Sequence, residues 1–466
     1  MSSTSAAARV SEVRSLFEKY DVPIPRYTSY PTVPYWEGLS DSSLWLSHVD
    51  QSLASPEALW SMYVHVPFCE TLCTFCGCNN VISKNHKLEH PYVDHLLQEW
   101  NMYLQKVPRL ADRTLKHIHL GGGTPTFLSP QSLHRLFSGL FAKTNSNDPN
   151  EFEASIEVDP RRTNREHLQV LREFGFNRIS MGVQDFEPEV QRLVNRLQPF
   201  EITAALTEES RKLGFESVNF DLIYGLAKQT PGSIRRTVEQ TLQLRPDRIA
   251  LYSFALVPWI KPAQRLFKDE DLPAGPGKRE LYEIAREMFL AAGYVEVGMD
   301  HFALPQDTLA RAMQEGTLHR NFMGYTNQRS DLLLALGISG ISQTPWSFHQ
   351  NEKLLPKYET ALAEGRIPTH RGHVLTAEDQ QRQRQILNLM TKLRAPLLDA
   401  QQAAQAADFL RPMIEDGLVE IAPSLRGSDE IRITPQGLPF LRNACAFFDE
   451  RLKRQKPQLQ IFSKSI

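Results

Sequence analysis

Tyr63-Val64-His65-Val66-Pro67-Phe68-Cys69-Glu70-Thr71-Leu72-Cys73-Thr74-Phe75-Cys76-Gly77-Cys78 is the stretch on which the reading of this chain turns. A short β-rich run ends at Val66, and four of the chain's five cysteines follow it within ten residues, spaced C-x3-C-x2-C-x-C. The cysteine count is odd, and the first twenty residues contain no apolar core of signal-peptide length, so a secreted disulfide framework does not fit. Reduced thiolates on a metal are the better reading. Structural zinc takes paired C-x2-C units with a second Cys or His pair downstream, and no second pair follows here. Three thiolates on one tight loop suit three corners of a [4Fe–4S] cubane, which leaves a fourth iron open to a small molecule. A loop this tight does not let all four thiols ligate at once.

Working outward, short β-rich runs alternate with helical stretches from about residue 60 to 255, the pattern of a parallel α/β sheet. Strands are predicted over 62–66, 116–120, 154–158, 178–183, 217–223 and 248–253, with helices over 90–106, 131–143, 165–174, 202–213 and 233–244. Six βα units predict a partial, open (β/α)6 barrel, whose chemistry sits on the loops after the strands' carboxyl ends. Residues 278–292 read as an amphipathic helix and 294–298 as a short strand. Helical pattern resumes from Thr376, and a helix over 409–418 followed by strands over 419–422 and 431–434 predicts a mainly helical, winged-helix-like end domain. The first ~55 residues, with Pro23, Pro25, Pro31 and Pro34, read as an extended arm. The division expected is therefore an arm over 1–57, a catalytic domain over 58–360 and the end domain over 361–466. Cys445, in an apolar run with Phe447 and Phe448, reads as core packing.

With 41% apolar and 23% charged residues in a chain of 466, a folded, multi-unit protein is expected. Fifty-two basic against 54 acidic side chains leave a formal charge of -2, so no global field recruits nucleic acid or an anionic membrane, and the winged-helix-like module reads as a docking lid. No membrane span is read. A cytoplasmic monomer is the expectation.

The cysteine loop, with its aromatic Phe75 before the third cysteine, resembles that of the radical S-adenosylmethionine (SAM) superfamily. That resemblance implies a [4Fe–4S] cluster on Cys69, Cys73 and Cys76, with SAM chelating the open iron through its amino and carboxylate groups. Flanking sequence narrows the likeness to the oxygen-independent coproporphyrinogen III oxidase family, over nearly the whole chain. It covers Pro25-Arg26-Tyr27-Thr28-Ser29-Tyr30-Pro31, the Cys-x-Cys ending at Cys78, Gly121-Gly122-Gly123-Thr124-Pro125-Thr126 and Ser155-Ile156-Glu157-Val158-Asp159-Pro160, then 180–186, 221–225, 298–303 and 443–452.

These segments also have a physical reading. Glycines at a strand end let backbone approach a ligand, so Gly122, Gly123 and Thr124 suit the zwitterionic methionine end of SAM. Glu157, Gln184 and Asp221 fall near successive strand ends, where they hydrogen-bond ribose hydroxyls or an amine, or merely cap the strands. Arg196 has the planar fork for a carboxylate, and Tyr63 and Phe75 suit the sulfonium or adenine. The resemblance supports these roles, adds Ala255 and Ile341, and implies two SAM molecules. Tyr63, Gly122, Glu157 and Ile341 surround one; Phe75, Gly123, Thr124, Gln184, Arg196, Asp221 and Ala255 surround the other.

The implied reaction converts two propionates of coproporphyrinogen III to vinyl groups, giving protoporphyrinogen IX. One electron, from a flavodoxin- or ferredoxin-like reductase, cleaves SAM to methionine and a 5'-deoxyadenosyl radical, which takes hydrogen from a propionate β-carbon. Loss of carbon dioxide and one further electron completes the vinyl group. Four positions depart from the family pattern: Ala227 for proline, Leu256 for histidine, Met323 for glutamine and Leu332 for aspartate. His65 and His301 are acid-base candidates or ordinary core histidines. The rival readings are a radical enzyme acting on haem itself and a related haem chaperone; Cys78 and the 26–31 arm count against the chaperone.

Overall fold

The computed structural model describes residues 15–38, 42–146, 152–273, 275–423, 427–454 and 462–464. Its centre is six parallel strands: β1 Leu59–Val66, β2 Thr114–Gly122, β3 Glu153–Val158, β4 Arg178–Gln184, β5 Ser217–Tyr224 and β6 Arg248–Ser253. Side-chain alternation explains their two faces. In β3, Ala154, Ile156 and Val158 are buried in the core, while Glu153, Ser155 and Glu157 point into the barrel. The strands are joined by α1 Glu89–Lys106, α2 Pro130–Phe141, α3 Arg165–Glu173, α4 Phe200–Lys212 and α5 Pro231–Leu244. Local chemistry sets where several begin: Ser129 caps α2, Asn164 and His167 form a capping box at α3, and Thr230 and Ser233 form one at α5. All six predicted strands and all five helices are present within about three residues of their expected ends.

The sheet is larger than the sequence reading expects. Beyond α6 Gly275–Ala291 it adds β7 Val295–Val297, β8 His301–Ala303, β9 Leu332–Leu336, β10 Ile341–Gln343, β11 Ser347–Asn351 and β12 Thr369–Val374. The order is β12-β11-β10-β9-β1-β2-β3-β4-β5-β6-β8-β7, so the barrel stays open and antiparallel strands extend both edges. Strand β9 lies parallel to β1, with Trp60 opposite Leu332 and Tyr63 opposite Ala335. The polar run of β11 conceals a buried strand whose side chains are partly engaged inside the protein: His349 Nε2 bonds Thr369 at 2.9 Å and Asn351 Nδ2 donates to Glu99 at 2.7 Å, while His349 Nδ1 and Asn351 Oδ1 stay without a partner among the described residues. The sheet thus runs to Val374, past residue 360, which itself falls within the Leu355–Ala363 helix.

Past Val374 the chain forms α7 Ala377–Lys392, α8 Ala400–Phe409 and α9 Arg411–Glu415, with a three-stranded sheet ordered β13 Arg394–Pro396, β15 Asp429–Ile433, β14 Val419–Pro423. The single helix expected over 409–418 is corrected to the end of α8 and a separate α9. Pro412 supplies no N–H to carry α8 onward but is accommodated in the first turn of α9.

The arm is also more structured than expected. A helix over Ser42–Ser52 buries Trp45 and Val49 in the main core, and Phe17, Tyr20, Ile24, Tyr27 and Tyr30 enter the core of the end domain. Arg442 holds this segment by donating to the carbonyls of Pro25, at 3.0 Å, and Ile24. Cys445 is fully buried there, as expected.

Candidate active site

The cysteine loop leaves the carboxyl end of β1 and folds over a cavity of about 580 Å3 inside the open barrel. The backbone turns tightly, with Cys76 N–H donating to Cys73 O at 3.1 Å. Neighbouring elements brace it. Asn195 Nδ2 donates to Leu72 O at 2.8 Å, Gln264 Nε2 to Phe75 O at 3.1 Å and Lys261 Nζ to Cys78 O at 2.7 Å.

Gly123 explains the glycine run differently from the sequence reading. Its N–H donates to Val66 O at 2.7 Å, Thr124 N–H donates to Phe68 O at 2.8 Å, and a Cβ on Gly123 would lie 2.4 Å from Pro67 O. The close approach that requires glycine is to the cysteine-bearing backbone itself. Gly122, at φ +118°, turns its N–H to Glu157 Oε2 at 3.2 Å.

Each cysteine sulfur implied as a ligand has a polar neighbour. Thr124 Oγ1 lies 3.4 Å from Cys69 Sγ, Arg196 Nη1 3.7 Å from Cys73 Sγ, and Cys78 N–H and Asn80 Nδ2 3.4 and 3.6 Å from Cys76 Sγ. A hydrogen bond from the Cys78 thiol brings Cys76 down to about 6, while burial raises Cys69 to about 11. Cys78 is exposed.

Arg196 is buried, with Nη2 on Gly182 O at 2.6 Å and Nη1 on Asp159 Oδ2 at 3.1 Å, and its Nε has no partner among the described residues. Burial would raise Asp159, but Arg196 and Arg161 outweigh it and bring the carboxyl down to about 2. Gln184 ends β4 in the left-handed region, φ +69°, at a register shift against β5. Deeper in the barrel, Asp221 accepts from Ser180 Oγ at 3.0 Å and Asn219 Nδ2 at 2.9 Å. Burial, then the charge of Glu157, pushes Asp221 up to about 6. Enclosure would raise Glu157 too, but bonds from His119 and Gly122 N–H win and lower it.

Cys69, Cys73, Cys76, Phe75, Gly122, Gly123, Thr124, Glu157, Gln184, Arg196, Asp221 and Ala255 all line this cavity. Tyr63 and Ile341 do not. Tyr63 bonds His65 Nδ1 at 3.0 Å and stacks on His119, and Ile341 packs with Trp36 and Phe348. The sequence reading passed over Asp159, Arg161 and His119; Asp159 stood inside a quoted motif, yet only its contact with Arg196 shows what it does. Of the four departures, Met323 lines the cavity, Leu256 packs in the same cluster as Phe75, and Ala227 and Leu332 are buried.

The Radical SAM superfamily model matches residues 63–241. An oxygen-independent coproporphyrinogen III oxidase of Salmonella typhimurium is 41% identical over 461 residues, covering 97% of this chain and 98% of the relative. The chain belongs to the oxygen-independent coproporphyrinogen III oxidase family. A Pseudomonas aeruginosa member of that family is 39% identical over 448 residues, covering 94% of this chain and 95% of its own. The solved Escherichia coli coproporphyrinogen III oxidase, described as a radical SAM enzyme, superposes with a TM-score of 0.84 at 40% identity, covering 92% of this chain and 98% of that one. As a radical SAM member of the oxidase family, the protein takes a [4Fe–4S] cluster and SAM as cofactors. The residues present fit them. Thiols lie on the cavity rim with N–H, guanidinium or hydroxyl groups beside the sulfurs, as negative sulfur requires, and the orphaned Arg196 Nε leaves a donor for a ligand. Among the described residues no helix is long and apolar enough to cross a membrane.

Proposed function

We propose that this chain oxidatively decarboxylates two propionates of coproporphyrinogen III to vinyl groups, giving protoporphyrinogen IX in anaerobic haem biosynthesis. The observation that carries this reading is the set of three thiols, Cys69, Cys73 and Cys76, opening onto one large cavity in a chain that matches coproporphyrinogen III oxidases along nearly its whole length. These three residues hold the cluster, and two SAM molecules bind beside it. When bound, the cluster and SAM supply a one-electron cleavage that yields a carbon radical able to remove hydrogen from a propionate.

The polypeptide's own part is to bind, orient and exclude water. Gly123 and Thr124 hold the cysteine loop against β2, and Arg196 offers a cation to a carboxylate beside Cys73. Glu157 accepts hydrogen bonds from an amine or a ribose; Asp221, its carboxyl pushed up to about 6 by burial, sits with Gln184, Phe75 and Ala255 around the second SAM molecule. Gly122 and Glu157 lie around the first, and Tyr63, which bonds His65 and stacks on His119 outside the cavity lining, is carried over to it from the family resemblance. Ile341 is carried over to the first molecule from the family resemblance, since it packs outside the cavity lining. A flavodoxin- or ferredoxin-like reductase supplies electrons to a monomer working in the cytoplasm.

Anaerobic reconstitution with iron and sulfide, followed by SAM, dithionite and coproporphyrinogen III, tests this. Mono- and divinyl products with release of methionine are expected. Methionine release without vinyl product from coproporphyrinogen III, but with a product from haem, would replace this reading with that of a haem-acting radical enzyme.

A further inference from the structure

Six arginines line the cavity, and five are already matched to carboxylates. Arg161 and Arg196 share Asp159 at 2.6 and 3.1 Å. Arg162 meets Glu70 at 2.9 Å, Arg178 meets Glu153 at 3.1 Å and Arg248 meets Asp307 at 2.5 Å. The cavity histidines also face acids: His117 with Glu153 at 3.8 Å, His119 with Glu157 at 3.4 Å and His301 with Asp300 at 2.6 Å. Arg26 is the exception. Among the described residues its guanidinium makes one side-chain hydrogen bond, Nη2 to Ser253 O at 3.0 Å, and no ion pair. Asp300 feels the Arg26 charge, but its carboxylate is engaged by His301.

The exception is held in place. Arg442 grips the carbonyls on the N-terminal side of Arg26, and Tyr27 OH on the other side donates to Asp449 Oδ2 at 3.2 Å. Cations lie behind it as well. Burial first, and the Arg26 charge with it, bring Lys278 down to about 8 against the pull of Asp21, and Arg442 down to about 9. A half-buried, fixed guanidinium that opens onto the cavity with no direct ion pair among the described residues, and with the charges of Lys278 and Arg442 nearby, is placed to take an anion.

Resting on the function proposed above, we infer that Arg26 binds a propionate carboxylate of the porphyrinogen that the reaction leaves intact, and so orients the macrocycle in both rounds of decarboxylation. Two physical arguments select a retained carboxylate. Release of carbon dioxide removes the charge of the reacting carboxylate, so a guanidinium stabilising that charge would hold the step back. Two of the four carboxylates are consumed in sequence, and only a retained one is available in both rounds. The planar fork of arginine meets such a group bidentately, which fixes direction as well as position.

The test uses the reconstituted holoenzyme and two substrates, coproporphyrinogen III and its monovinyl tripropionate intermediate. Arg26→Gln is expected to raise KM for both by a similar factor, about ten- to a hundredfold for a lost charge-assisted bond. Iron content and SAM binding should hold, and Arg26→Lys should recover part of the loss. An unchanged KM in Arg26→Gln overturns the assignment, as does a rise for coproporphyrinogen III alone. Should Arg26→Gln lose its arm packing or its iron, Arg26→Lys decides: recovered KM supports the charge, and an unrecovered KM in a folded lysine variant overturns it. Failure of the wild-type enzyme to form any vinyl product would instead sink the underlying function.

Discussion

Arg196 Nη1 stands 3.7 Å from Cys73 Sγ while bonded at 3.1 Å to Asp159 Oδ2, so one guanidinium ties the cysteine loop to the end of β3. Breaking a buried ion pair costs about 3–5 kcal/mol, because the remaining charge is stranded. Arg161 still grips Asp159 through Nε and Nη2, which places the expected loss for Arg196→Ala at the low end, about 3 kcal/mol. Anaerobic urea unfolding measures it. Arg196→Lys should retain the charge yet not the second hydrogen bond to Gly182 O, so SAM affinity should fall in both variants. Equal stability in wild type and Arg196→Ala would show the bridge contributes nothing.

Cys73→Ala and Cys78→Ser should separate cleanly. The first is expected to abolish the iron–sulfur absorption band and the bound iron. Cys78 is exposed and meets Cys76 Sγ through its backbone N–H and its thiol; serine keeps the first and replaces the second with a hydroxyl donor, so iron content should survive the second change. Iron and sulfide analysis after anaerobic reconstitution decides; loss of iron in Cys78→Ser alone would reverse the ligand assignment.

Gly123→Ala places a methyl group 2.4 Å from a backbone carbonyl that has no free rotor to move aside. The strand and the cysteine loop must part. The fold of the rest of the barrel should persist by circular dichroism, with SAM binding weakened at least about tenfold, the size expected when positioning shifts by a fraction of an ångström. Calorimetric titration with wild-type affinity would contradict the close packing described.

Glu99 carries a pH signature remote from the site. Burial pushes it up to about 7 from the ordinary value of 4.5, despite accepting from Gly337 N–H, Asn351 Nδ2 and Tyr358 OH at 2.6–2.8 Å. The folded protein therefore keeps this proton to a higher pH than the unfolded chain does. Unfolding free energy should fall as pH rises from about 4.5 to about 7 and stay at the lower level above that, by about 3 kcal/mol from this group. Glu99→Gln should remove that part of the slope. Chemical denaturation of both proteins at pH 5 and pH 8 provides the comparison, and identical slopes would refute it.

The parallel half of the fold was readable because it obeys simple periodicity. Strands such as β3 and β4 alternate strictly, and their helices announce themselves through Ser129, Asn164 and Thr230. The cavity-facing positions of the barrel followed, since a strand ending in glycine or in a polar residue after an apolar run points to the functional rim. What escaped depended on partners distant in sequence. β9 is buried on both faces and shows no alternation, and β11 is polar yet enclosed, with Asn351 on Glu99 and His349 on Thr369. The arm read as extended because its prolines are local, whereas the core that receives its aromatics is built from residues 386–448. Tyr63 is expected at the ligand from its aromatic ring and Ile341 from family likeness, and neither says which side of a strand closes the cavity.

That shared core has a consequence for synthesis. Phe17, Tyr20, Ile24, Tyr27 and Tyr30 emerge first from the ribosome but find their packing partners only when residues near Phe448 have followed. The cysteine loop and the six parallel strands, the last of which ends at Ser253, precede those partners in the chain. The segment bearing Arg26 can therefore dock only after the core formed by residues 386–448 has been translated.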